Sequence, residues 1–332
     1  MKKVLCYCEM NSKTGFGHYN RVKILLDILK IKKAEIYTEN RKLAHQFFEK
    51  HKIIKGKNIL NYLINNHYKY KLLIIDPPYY PNQLKQQEFF SKKFKKIFNI
   101  KNKKFKIIWL SDEEKPSPKY CDLLLNDYPL AKKFKYFYKK FNKKIQLILG
   151  IYAFLFSKEV FTNKQKTKKK HVLIAFGGDD PKNLILRFFD FFKTLDFKKI
   201  FIVNIRTYKI LKKYDKNKNL FIIKKKPMNK FLNYLRDSIF YISTPSNIMF
   251  ESWAFGIKGN VIPIQKRQLK MGQAFKKLNL VNLLPYYKFL SKKILSKKIK
   301  TNSFLKPKII FKKKYALKNQ IKLIKFYKKI HD

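Results

Sequence analysis

The feature that most limits what this chain can fold into is a repeated alternation of short, unbroken apolar runs with longer stretches of helical spacing. Val4-Leu5-Cys6-Tyr7-Cys8 reads as a buried strand, followed by a polar, glycine-bearing loop from Asn11 to Gly17 and a helical pattern from about Tyr19 to Lys30. Ala34–Thr38, Leu72–Ile75, Phe105–Leu110 and Leu123–Leu125 are further strand candidates, and Asp76-Pro77-Pro78 stops the third strand of this half. Apolar runs of this kind, separated by helices, predict strands covered on both faces: a parallel sheet joined by right-handed crossovers.

The pattern then restarts. The lysine-rich segment 158–170 reads as a connection between an N-terminal domain, 1–157, and a C-terminal one, 171–332. In the second half His171–Phe176, Ile200–Asn204, Leu220–Ile223, Ser238–Ser243 and Val261–Ile264 are expected strands, and Asn183–Thr194 and Ile248–Phe255 are expected helices. Helical spacing returns in Tyr315–Ile330. At 332 residues the chain exceeds the size at which one core usually splits. The expected fold is α/β, with two Rossmann-like domains facing a cleft, the GT-B arrangement. Sheets of this kind bind ligands beyond the carboxyl ends of their strands.

Composition narrows the function classes. The net charge is +57, and all but six of the 78 basic residues are lysine. Ile, Asn, Phe and Tyr are abundant and Gly is scarce, as A/T-rich codons would produce. Much of the charge therefore reads as a solvated lysine surface. It still concentrates nucleotide phosphates, and at low salt would hold the chain weakly near an anionic membrane surface or nucleic acid. No nucleic-acid-reading motif is present, so a specific nucleic-acid partner is not expected. Cys6, Cys8 and Cys121 form no disulfide framework and read as buried thiols in a cytoplasmic setting. No signal peptide and no membrane span is legible. The six histidines lack metal-site spacing, so neither a metal nor another cofactor is expected.

Three segments carry chemistry. In Gly15-Phe16-Gly17-His18-Tyr19-Asn20-Arg21, two glycines let the backbone approach a ligand at a helix start. His18 there can take a proton near neutrality, or merely satisfy a loop hydrogen bond. In Gly177-Gly178-Asp179-Asp180-Pro181-Lys182-Asn183, paired glycines precede an aspartate and a helix, which fits an anion-accepting turn or a helix cap. In Thr244-Pro245-Ser246-Asn247-Ile248-Met249-Phe250-Glu251, Ser246 or Asn247 could cap a helix or donate to a diphosphate. Glu251, one turn in, could accept from a ribose diol or simply favour the helix N-terminus.

These segments line up, in order, with one family. Gly15-x-Gly17-His18-x-x-Arg21 resembles the GxGHxxR signature of the UDP-sugar hydrolase of pseudaminic acid biosynthesis, itself similar to MurG-type glycosyltransferases. Cys121–Asn126, Leu149–Leu155 and Phe176–Asn183 resemble three further segments of that family, so the resemblance runs from about residue 3 to 285. It implies water attack on the anomeric carbon of a UDP-linked diacetamido-trideoxy sugar, releasing UDP. His18 would activate the water, with Asp76 and Tyr79 facing the sugar. Gly15, Gly17 and Arg21 would line that site. Gly177, Gly178, Asp179, Ser246 and Asn247 would hold UDP, and Glu251 would meet the ribose. The chain departs from the family at 244–247, where two glycines are replaced, and at Arg267-Gln268, where an Asn-Gln pair is usual. A guanidinium at 267 could instead pair with a carboxylate or phosphate. The alternative on the same scaffold is a glycosyltransferase, in which an acceptor hydroxyl replaces water.

Overall fold

The computed structural model describes residues 3–8, 17–76, 105–116, 121–162, 171–177, 180–215, 219–224, 228–302, 307 and 309–331. It divides into two compact units, Met1–Leu155 with Lys314–Asp332, and Phe156–Lys313.

The first unit is built on a seven-stranded sheet: β1 (Lys3–Cys8), β2 (Glu35–Thr38), β3 (Lys52–Lys55), β4 (Tyr70–Asp76), β5 (Lys106–Ser111), β6 (Leu123–Asn126) and β7 (Gln146–Leu149). Their order is β3-β2-β1-β4-β5-β6-β7, and every pairing is parallel. The chain winds outward from β1 in one direction and from β4 in the other, so β1 and β4 flank the switch point where such sheets take their ligands. Helix α1 (Gly17–Ile28) follows β1 and buries Tyr19, Val22, Leu25 and Leu26 at helical spacing. Cys6, Cys8, Ile74 and Leu110 meet that face in one core. All three cysteines are buried.

The second unit repeats the plan with six strands: β8 (His171–Ala175), β9 (Lys199–Val203), β10 (Leu220–Lys224), β11 (Ser238–Ser243), β12 (Gly259–Val261) and β13 (Val281–Leu283). The order is β10-β9-β8-β11-β12-β13, again all parallel, with the switch between β8 and β11. Its core is rich in phenylalanine, including Phe176, Phe188, Phe192, Phe201 and Phe240.

Three local differences from the sequence reading have physical causes. The strand expected at Val261–Ile264 pairs instead over Gly259–Val261, opposite Tyr241–Ser243. A Cβ at position 259 would lie 2.0 Å from Cζ of Tyr241, so glycine is what lets that ring cross the neighbouring strand. Pro263 could not donate to a ladder in any case. The helix expected over Asn183–Thr194 is two short helices, Leu184–Arg187 and Phe189–Lys193, divided at Phe188 where φ is −115°. The final helix, Lys313–His331, packs from Lys314 onward in the first unit, with Leu323 and Phe326 in its core and Asn319 donating to the carbonyl of Tyr152 at 2.9 Å. Among the described residues no helix is long and apolar enough to cross a membrane.

Candidate active site

At the switch point of the first sheet, the register sets Cys8 of β1 beside Asp76, the last residue of β4. Helix α1 begins at Gly17, so His18 and Arg21 lie one turn apart on the same face. Both turn toward Asp76. His18 Nδ1 is 2.8 Å from Asp76 Oδ1, while Arg21 donates from Nε to Oδ2 at 2.8 Å and from Nη2 to Oδ1 at 2.5 Å. His18 and Arg21 are 6% and 7% exposed and Asp76 is fully buried, so these contacts act with little screening by water.

Burial alone would raise the Asp76 carboxyl, but the charge of Arg21 and the hydrogen bonds from His18 and Arg21 hold it below its ordinary range. Burial likewise disfavours the Arg21 cation, and Asp76, Asp112 and Asp127 overcome that. Asp76 is therefore an ionised acceptor. An Nδ1–H on His18 donating to it leaves Nε2 as the ring's basic nitrogen.

Two further carboxylates face the other side of the guanidinium. Arg21 Nη1 lies 3.7 Å from Asp127 Oδ2 and 4.0 Å from Asp112 Oδ2. Asp112 and Asp127 follow β5 and β6, so the strand order carries them to the same end of the sheet as Asp76. Asp127 was not singled out by sequence reasoning. The usable signal was its place directly after an apolar strand, at the edge where parallel sheets expose their chemistry.

In the second unit the loops after β8 and β11 are neighbours. The Ser243 hydroxyl donates to the carbonyl of Ala175 at 2.5 Å, and a Cβ on Gly177 would sit 3.8 Å from Thr244 Oγ1. Gly177 has φ of +67°, a conformation glycine adopts without steric cost. Asp180 accepts from the N–H groups of Leu184 and Ile185, both at 2.9 Å, so it is the cap of this segment. Burial raises its carboxyl despite those two donors.

Helix α10 (Ile248–Ala254), the tenth α-helix among the described residues, follows the Thr244–Asn247 loop. Asn247 stands at its N-terminus without making a side-chain capping bond, and Ser246 donates instead to the carbonyl of Thr244 at 3.2 Å. Glu251 is 6% exposed, and burial pushes its carboxyl up to about 8. Helix α11 (Lys266–Lys277) lies against this loop: a Cβ on Gly272 would be 3.3 Å from Pro245. Gln268, in its first turn, accepts from the N–H of Ile264 at 2.9 Å, and Arg267 beside it is half-buried.

The structure thus brings His18, Arg21 and Asp76 into direct contact in one unit. In the other it groups Gly177, Ser246, Asn247 and Glu251 at the ends of β8 and β11. Gly15, Tyr79, Gly178 and Asp179 lie outside the described residues. Among the described residues, no group of three or more His, Cys, Asp or Glu side chains is arranged to hold a metal ion.

Known proteins match this geometry at the level of fold. No protein-family model matches the chain. An uncharacterized protein of Methanocaldococcus jannaschii is 25% identical over 281 residues, 77% of this chain, and the match spans 54% of that relative's length. Among solved structures, MurG of Acinetobacter baumannii superposes with a TM-score of 0.60 at 10% identity, covering 98% of this chain and 99% of its own. UDP-GlcNAc 2-epimerase of M. jannaschii, solved with UDP-GlcNAc and UDP, gives 0.60 at 13% identity with 98% and 99% covered. MnaA of S. aureus, solved with UDP, gives 0.61 at 11% identity with 99% and 98% covered. The chain has the GT-B fold that these proteins share.

Proposed function

We infer that this protein is an enzyme acting on a nucleotide-activated sugar, and that its reaction is hydrolysis of a UDP-linked diacetamido-trideoxy sugar in nonulosonic acid synthesis. The observation that carries the reading is the contact between His18 Nδ1 and the ionised Asp76 carboxylate. It orients the imidazole and leaves Nε2 to take a proton from an attacking water. The water oxygen forms a bond to the anomeric carbon, the bond from that carbon to the diphosphate oxygen breaks, and UDP leaves with the electron pair. Asp76 stabilises the imidazolium that results, while Tyr79, Gly15 and Gly17 are assigned to the sugar side.

The nucleotide is assigned to the second unit. Gly177, Gly178, Asp179, Ser246 and Asn247 would meet the diphosphate, and Arg267 and Gln268 would complete the contacts. Supporting this assignment, the side chain of Asn247 is not spent on capping α10. Glu251 would receive the ribose hydroxyls. Its buried carboxyl holds a proton until such donors arrive, so nucleotide binding near neutrality should release one.

The fold shared with MurG favours a second reading, transfer of the sugar to an acceptor hydroxyl that His18 deprotonates. Incubating purified protein with UDP-sugar alone separates the two. Free sugar and UDP in equal amounts, lost in His18→Ala, support hydrolysis. UDP release that requires an added acceptor supports transfer. Binding of GDP or CMP in preference to UDP would contradict both.

A further inference from the structure

Asp127 belongs to none of the sequence motifs, yet it is 2% exposed and faces the guanidinium of Arg21, which grips Asp76. Its position is fixed from both sides. Its own N–H donates to the carbonyl of Ser111 at 3.0 Å, and the adjacent Asn126 side chain donates to the Glu113 carbonyl at 2.8 Å and accepts from Tyr128 N–H at 3.0 Å. A buried carboxylate carries a desolvation cost that a nearby cation helps to offset.

Arg21 is one such cation, and it has two jobs at once. Nε and Nη2 grip Asp76, Nη1 faces Asp127 and Asp112, and Nη2 stands 3.5 Å from His18 Nδ1. Arg21 and His18 therefore share the same oxygen, Oδ1 of Asp76. The more of the guanidinium charge that Asp76 alone must satisfy, the weaker an acceptor it is for the imidazole N–H. Charge drawn toward Asp127 restores that acceptor. We propose that Asp127 is a positioning residue: through Arg21 it keeps Asp76 a strong acceptor and so holds His18 in the tautomer with the proton on Nδ1. Asp112 faces the same Nη1 from 4.0 Å with its side chain 26% exposed, and its charge acts on Arg21 alongside that of Asp127. The proposal rests on His18 being the base of the reaction proposed above.

Asp127→Asn removes the charge but keeps the shape, and Arg21 retains Asp76 as a partner. The test uses the full chain with ¹⁵N-labelled histidine, the His18 signals being assigned by their loss in His18→Gln. The wild type should show the Nδ1–H tautomer. In D127N that population should fall, and kcat for UDP release should drop about tenfold with KM within about twofold. Asp127→Glu, which keeps the charge, should retain the tautomer and most of kcat. A folded D127N with the wild-type imidazole spectrum and rate would overturn the proposal. So would a wild type lacking the Nδ1–H tautomer, or a D127E as impaired as D127N. If the wild type turns over no UDP-sugar, the functional reading fails, and the imidazole spectra still decide the role of Asp127.

Discussion

His18 and Asp76 are 58 positions apart in the chain, and Nδ1 of one lies 2.8 Å from Oδ1 of the other. Sheet order explains the meeting. β1 and β4 are neighbours, and the helix after β1 starts where β4 ends. Any catalysis by the first unit should therefore depend on this pair. His18→Ala should lower kcat for UDP release by about a hundredfold or more, while UDP binding, measured by calorimetry, stays within about threefold. A rate within twofold of wild type would exclude His18 as the base.

Arg21 is held by carboxylates on two sides. Arg21→Met would leave the buried Asp76 without the guanidinium that grips it. Removing one member of such a group typically costs about 3–5 kcal/mol, read as a lower urea midpoint at constant slope. Arg21→Lys should rescue only part of this, since an ammonium cannot span both carboxylates as the guanidinium fork does.

Glu251 gives a pH signature. Its carboxyl titrates near 8 in the folded chain against an ordinary value of 4.5. The unfolded chain ionises at lower pH than the folded one, so stability is full below about 4.5 and is lost as pH climbs toward 8. Glu251→Gln, which cannot ionise, should be more stable than wild type by roughly 2–4 kcal/mol at pH 8 and no different at pH 4. Thermal melts across that range check it. A parallel pH dependence in the two proteins would show that Glu251 is not the group responsible.

Gly177 has ordinary space around it but a positive φ. Gly177→Ala should therefore cost about 1–2 kcal/mol through the backbone rather than through a clash. Gly177→Asn should cost less, because asparagine tolerates the left-handed region. Equal losses in the two variants, compared by denaturant unfolding, would point to crowding by a neighbour instead.

The sequence made the central strands legible and the edges obscure. β1, β4, β8 and β11 are buried on both faces, so they appear as unbroken apolar runs. β3, Lys-Ile-Ile-Lys, is an edge strand that is only half-buried, and β13 is three residues long. Neither carries a pattern strong enough to separate from a loop. Within the site, His18 and Glu251 stood in recognisable motifs. The link from Arg21 to Asp127 did not, because it depends on β6 lying two strands from β4. No local spacing encodes that relation. For the 177–183 segment the sequence leaves an anion-accepting turn and a helix cap both open, and Asp180 supplies a cap.

The return of the last helix to the first unit has a practical side. Leu323 and Phe326 complete the interior beneath β1 and α1, so the half that holds His18 is assembled from both termini of the chain. A fragment ending at residue 155 would lack part of its own filling, and a tag or deletion at the far C-terminus acts on the histidine-bearing half. An independently folding version of that half would have to be rejoined, with residues 314–332 spliced onto the segment they cover.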